Sequence, residues 1–421
     1  MAHRFMLPKT RSTIHAVLLG TVVAASAVFS PAQAASNYVY QQTLVIPGVA
    51  FSGYDLATFD QSTQLYYLTD RSNNGIDVFS AASNTYVERI GSGLFAGATP
   101  SNDNAGPNGI SISNVSGGKL LIAGNGPSTL FSFNLASNGT TVVGSPRITS
   151  TAVSGTPTPP NRVDGVAYAP TANTILTANN ASNPGFVTLV NNATGAVIRS
   201  ILLDGTGGYP NVGSNGVEAT IFNTARGTFF VAVPAFNAAG TGAGGVIELD
   251  ATTGNLLHTY DFNAMGLTGG CSPTGVAQGA GAAMLVACSD GTVGHSVVLD
   301  PTGTGSLTLV AGIAGGDQVS YDATRNVFFE AARFQPGGPV LGVIDGNTLA
   351  VQTLAIGSND HSVAVDPVSG EVFVATGATT AIPGCTTGCV AVFAVPEPGA
   401  MPILAVGLVG LGIVVLRRRR A

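Results

Sequence analysis

The feature that most constrains this chain is an internal repetition. "GYDLATFDQSTQLYYLTDRSNNGIDVFSAASNTYVERI", starting at Gly53, reads as a short apolar strand, a turn, a second strand, a polar loop, a third strand, a turn and a fourth strand. "DGVAYAPTANTILTANNASNPGFVTLVNNATGAVIRSILL", starting at Asp164, follows it almost element for element. Similar stretches open at Asn108, Glu218, Thr274, Gln318 and His361, so the unit recurs every 43 to 56 residues. In "LYYLTD" and "VFVATG" apolar residues fall at strand spacing, and no long helical period interrupts them. One sheet of four short strands cannot cover both its faces, whereas seven in a ring cover one another. The expectation is an all-β, seven-bladed β-propeller of four-stranded antiparallel blades over residues 35–394. The longer early spacings leave room for an insertion, and with it for six or eight blades.

The seventh unit is one strand short. After Cys389, "VAVFAV" supplies its third strand and no fourth follows. "NYVYQQTLVIPG" (37–48) is strand-like and belongs to no other unit. It is therefore expected to supply the missing strand and clasp the ring shut.

Charged residues make up only 9% of the chain, the formal net charge is −6, and Lys is scarce. Such a balance excludes a basic nucleic-acid surface. The 56 glycines and the many Ser, Thr and Asn favour strands and tight turns over helices. Four cysteines occur: Cys271, Cys288, Cys385 and Cys389. In an exported chain an even count reads as disulfides, and pairing Cys271 with Cys288 and Cys385 with Cys389 is the simplest of three connectivities. A metal site at Cys385 and Cys389 lacks a second pair of ligands nearby.

The two ends carry transport signals. Arg4, Lys9 and Arg11 precede an uncharged run from Ala16 to Phe29, and Ala32-Gln33-Ala34 offers the small residues of a cleavage site, so residues 1–34 read as a signal peptide. No twin arginine is present, so the general secretory route is expected. At the other end, the stretch from Ala400 to Leu416 holds no charge and is just long enough to cross a thin hydrocarbon core as a single transmembrane helix. Arg417, Arg418, Arg419 and Arg420 follow and would stay on the cytoplasmic side.

Pro396-Glu397-Pro398, the short Gly- and Leu-rich apolar segment and the terminal arginines, in that order over residues 395–421, resemble the PEP-CTERM sorting signal of Gram-negative bacteria. The resemblance implies an exosortase-type processing enzyme as partner. It also implies anchoring in the inner membrane before processing, then a place at the cell surface or outside the cell, near exopolysaccharide or surface proteins. In the body, "DHSVAVDPVSGEVFVATG" and "NGVEATIFNTARGTFFVAV" resemble the YVTN and NHL-like propeller families and, more loosely, the SMP-30/gluconolactonase-like group.

In a propeller, the loop entering each innermost strand and the loop after the second strand open on one face. That geometry is expected to gather Asp55, Asn108, Asp164, Glu218, Gln318 and His361 at the channel mouth, with Asp70, Arg71, Asn125, Asn179, Asp290, Glu330 and Arg333 around them. Oxygen donors of this kind suit Ca²⁺ or Mg²⁺. The lactonase-like resemblance implies a divalent cation held by a Glu, an Asp and Asn side chains, for which Asp164, Glu218, Asn108 and Asn179 are the matching types. Turn capping is the competing role for such residues. Asp70 with Arg71 and Glu330 with Arg333 are expected to form rim ion pairs, and His361 is either a base or a hydrogen-bonded turn residue. No G-x-S-x-G elbow is present. Two functions follow: an exported binding or scaffold module without a required cofactor, or a divalent-cation-dependent lactonase or related hydrolase in the channel.

Overall fold

A computed structural model describes residues 37–152, 162–237, 239, 243–290 and 294–396. The expected signal peptide, the apolar tail segment and the terminal arginines lie outside the described residues. Among the described residues no helix is long and apolar enough to cross a membrane. The described body forms seven four-stranded antiparallel sheets. Blades 1 to 6 occupy residues 54–90, 110–150, 166–202, 220–261, 273–311 and 319–355, each laid out in chain order from channel to rim.

Blade 7 is built from both ends of the body. Its inner three strands are Ser362–Val365, Val372–Thr376 and Cys389–Ala394, and its outermost is Val39–Val45, paired from Val39 with Ala394 to Val45 with Cys389. The carboxamide of Gln352 on blade 6 fastens this strand by bonding both the N–H and the C=O of Tyr38, at 3.1 and 3.0 Å. The two disulfides are Cys271–Cys288 and Cys385–Cys389. The second closes the loop whose Thr387 carbonyl accepts from the Phe51 N–H at 2.7 Å, beside the closure.

The hydrophobic core is divided into seven clusters, one between each neighbouring pair of blades. This explains the sequence pattern. Second and third strands are covered on both faces and read as nearly continuous apolar runs, as in fully buried Leu65–Asp70. Outermost strands meet a neighbour on one side only and alternate, as in Thr85–Ile90.

The two ends of the barrel differ. On one face the connections, apart from the loop 136–146 of blade 2, are short turns, many of them capped by Asp or Asn. Asp322 Oδ1, for example, accepts from the N–H groups of Thr324 and Arg325 at 2.8 and 3.0 Å, and Asn326 closes that turn at φ 54°. The longest connections, including 91–109, 203–219 and 377–388, lie on the other face. Chain direction places the start of every innermost strand on this long-loop face, and with it the channel mouth.

Candidate functional site

Four of the innermost strands are entered by the same backbone device. The N–H groups of Asn108, Asp164, Glu218 and Asp317 donate to the carbonyls of Gly124, Ala178, Ala232 and Ala331 on the second strand. Those four residues donate back to Gly109, Gly165, Ala219 and Gln318. The strand register adds Asp55, Thr274 and His361 at the corresponding places in blades 1, 5 and 7. Seven equivalent positions thus carry Asp55, Asn108, Asp164, Glu218, Thr274, Asp317 and His361. All but Asn108 line a channel cavity of about 900 Å³.

Opposite charges interleave around this mouth. The Arg71 guanidinium binds Asp55 and also donates to Asn108 Oδ1 (2.7 Å) and Asn102 Oδ1 (2.7 Å). Arg162 Nε reaches Asp164 Oδ1 at 3.1 Å, and Arg333 reaches Asp317 at 3.0 Å. Asn180 Nδ2 donates to Asp164 at 2.6 Å and lies 3.4 Å from Glu218. His361 bonds the Asn359 carbonyl through Nδ1 at 2.6 Å, places Nε2 3.5 Å from Asp55, and stacks on Tyr54 with 4.7 Å between rings.

These contacts set the protonation states. Burial would raise the Asp55 carboxyl, but Arg71 and His361 override it and hold it well below the usual range. Burial would lower His361, yet the Asp55 carboxylate keeps its proton affinity above the ordinary value. Glu218 is pushed up by burial and by the charge of Asp164. Asp317 is raised by burial against the pull of Arg333.

Several expected residues take other places. Asp70 and Arg71 do not pair with each other: Asp70 turns into blade 1 toward Asn73 and Arg89, while Arg71, one residue on, turns to the mouth. Arg333 pairs with Asp317 and not with Glu330, whose side chain is buried between blades and accepts from Ser296 Oγ at 2.9 Å. Gln318 lines the channel, but its carboxamide is occupied by backbone groups of Ala57 and Val363. Asp317 holds the ring position instead. Asn125 bonds backbone and Thr129, and neither it nor Asp290 lines the cavity.

The suggested cation ligands are not assembled. Asn108 gives its oxygen to Arg71 and its amide hydrogens to the carbonyls of Ala105 and Val163. Asn179 turns to Ser128 and Thr151. Among the described residues no group of three or more His, Cys, Asp or Glu is arranged to hold a metal ion. Arg162 occupies Asp164, Arg71 occupies Asn108 and Asn179 is turned away, so Glu218 alone of the four is left without a competing cation or a distant partner, and this donor set does not fit a metal ion.

Fold and site define a seven-bladed β-propeller with an internally paired polar channel mouth. The body is similar in fold to the WD40 repeats of RRP9, with a TM-score of 0.56 at 11% identity over 83% of this chain and 96% of that one. It is similar to U3-55K, with a TM-score of 0.52 at 11% identity over 83% and 97%. It also resembles the hydrazine synthase of Kuenenia stuttgartiensis, with a TM-score of 0.55 at 10% identity over 79% and 94%. At these identities the likeness shows the fold alone. No protein-family model and no curated protein matches the chain.

Proposed function

We propose that this chain is an exported cell-surface propeller, processed at its Pro396-Glu397-Pro398 signal by an exosortase-type enzyme, and that it works as a binding module whose ligand enters the channel mouth. One observation carries the binding role: three mouth carboxylates each hold a guanidinium partner, which leaves a charged, hydrogen-bonding cavity with no metal ligand set among the described residues. A polar ligand that enters there has to offer bonds equivalent to those it displaces. Exopolysaccharide or a surface protein is the partner class that the sorting tail favours.

The test begins with protein recovered from cells, whose ends are mapped by intact mass. The expected start is near Ala35 and the expected end near the Pro396 triplet. The recovered protein is then screened on glycan arrays and against surface fractions, beside an Arg162→Ala/Arg333→Ala variant. Removing both arginines should weaken binding at least tenfold with the fold retained, since each loses charge-assisted bonds. Unchanged binding would move the ligand away from the mouth. A second reading, hydrolysis in the channel, draws on the neighbouring carboxyls of Asp164 and Glu218, one bound to a cation and the other raised in proton affinity. Lactone or ester turnover lost in Glu218→Gln would favour it.

A further inference from the structure

The three mouth arginines are held unequally. Arg71 has a side chain 8% exposed and donates to Asp55, Asn102, Asn108 and the Pro107 carbonyl. Arg162, at 12%, reaches both Asp164 and Asp103. Arg333 has one polar contact among the described residues, with Asp317 at 3.0 Å, and its side chain is 27% exposed. It lines the channel cavity, and a guanidinium carries five N–H donors. Its Nε is covered, so the donors left for a ligand are those of the two terminal nitrogens.

Beside it stands a second exception. Among the described Phe and Tyr residues Phe334 alone is exposed, at 55%. Its loop is nevertheless pinned. The Phe334 N–H donates to the Gly315 carbonyl at 3.0 Å, and the Gln335 carboxamide ties the loop to the segment after blade 5, through the Ala314 N–H at 2.8 Å and the Gly312 carbonyl at 3.2 Å. Gly315 stands at φ 74°, and a Cβ there would lie 2.3 Å from the Phe334 backbone, so this close approach requires glycine. The Arg333 guanidinium lies over the Phe334 ring, with Cζ 4.7 Å from its centroid. A single exposed apolar residue is ordinary. A ring fixed in place against an under-bonded guanidinium at a cavity edge is different, because aromatic and Arg side chains held in this way are the usual anchors of a binding site.

We propose that Arg333 and Phe334 form a subsite for a hexuronate residue of an acidic polysaccharide, its carboxylate on the guanidinium and its ring against the phenyl ring. The proposal rests on the reading of the mouth as a binding site and names the ligand class. Carboxylate suits the fork of a guanidinium. A sugar acid also brings hydroxyl donors for the mouth carboxyls, which an acidic peptide side chain lacks.

The uronate competes with Asp317 for Arg333. Arg333 and His361 favour the ionised form of Asp317, whereas burial and the charges of Asp55, Asp164 and Glu218 favour the protonated one. A bound carboxylate adds a negative charge beside Asp317 and favours protonation further. Binding therefore takes up a proton and strengthens as pH falls.

The test is titration calorimetry on the recovered protein at pH 7 and pH 5, with trimers of galacturonate, glucuronate and mannuronate, their methyl esters, and triglutamate. At least one uronate trimer should bind tenfold or more tightly than its uncharged ester, and more tightly still at pH 5. Arg333→Gln should bring acid and ester within about threefold. Phe334→Ala should weaken the trimer severalfold with an unchanged melting temperature, since the ring is exposed. Asp317→Asn, which removes the competing charge, should bind at pH 7 about as tightly as the wild type does at pH 5.

Equal binding of acid and ester, or a preference that survives Arg333→Gln, overturns the subsite while leaving the mouth a binding site. Triglutamate binding as tightly as the uronates overturns its assignment to a sugar, and an affinity that does not rise at pH 5 overturns the competition with Asp317. Failure of every probe also overturns the subsite. The wider reading then stands or falls on the partner screen and the double arginine variant.

Discussion

At the scale of single residues, the channel ring was legible in large part. Asp55, Asn108, Asp164, Glu218 and His361 stand at equivalent strand entries because the repeat pattern counts backbone positions, and backbone pairing obeys that count. Blade 6 slipped by one: Gln318 is polar and opens an apolar run, yet the paired N–H belongs to Asp317. A one-residue slip sends a side chain to the other face, and nothing in the types of Asp317 and Gln318 marks which is which. Ion pairs were less legible, since neighbours such as Asp70 and Arg71 point apart and find partners far along the chain. Glu330 yields a test at this scale. Burial pushes its carboxyl up to about 8 from an ordinary 4.5, although Ser296 donates to it, and its Oε2 has no partner. A raised folded value means the contribution is whole below pH 4.5 and is lost as pH climbs toward 8. Glu330→Gln cannot titrate. Its melting temperature should match that of the wild type near pH 5 and exceed it increasingly up to pH 8. The stability gap there should reach several kcal/mol, because holding the proton costs about 1.4 kcal/mol for each pH unit above the ordinary value. Parallel melting curves across pH would show that Glu330 does not hold this buried proton.

At the scale of elements, strand order and the closing strand followed from the repeat because each blade is a local antiparallel meander. The one long-range pairing was forced by an unpaired seventh unit and a spare strand. The loops were not legible, since their paths depend on contacts such as Arg71 with Asn102 that no local pattern encodes. The closure supports a contrast between two truncations. Deleting residues 35–47 removes Val39–Val45, the buried side chains of Tyr38, Leu44 and Ile46, and the edge contact of Tyr38 with Phe329 at 5.2 Å between ring centroids. Burial of such side chains contributes about 1.5–3 kcal/mol each, and the loss also uncovers two core clusters. The melting temperature should fall by 10 °C or more. Removing residues 397–421 leaves every described pairing of blade 7 in place and should shift it by less than about 2 °C. Calorimetry of both truncations decides the matter, and equal losses would count against closure by the N-terminal strand.

At the scale of the whole molecule, the same closure fixes which way the mouth points if the tail anchors the chain. Innermost strands start at the mouth, so third strands run away from it, and Cys389–Ala394 is a third strand. Ala394 therefore lies on the short-turn face, opposite the mouth, and the proposed sorting tail leaves from there. A chain held in the inner membrane by that tail would present its short-turn face to the bilayer and its mouth outward. Ligand access would then precede processing. Phe334 and Val368 allow this to be measured, because both are 55% exposed and they lie on opposite faces, in the mouth loop 333–339 and the short turn 366–371. A Phe334→Cys and a Val368→Cys variant, each reacted with a bulky maleimide, should label at similar rates once the protein is released. In membranes from cells lacking the processing enzyme, Phe334→Cys should keep its rate while Val368→Cys slows severalfold, because the bilayer shields it. Equal rates in the membrane-held protein would mean that the tail is a long tether and sets no orientation.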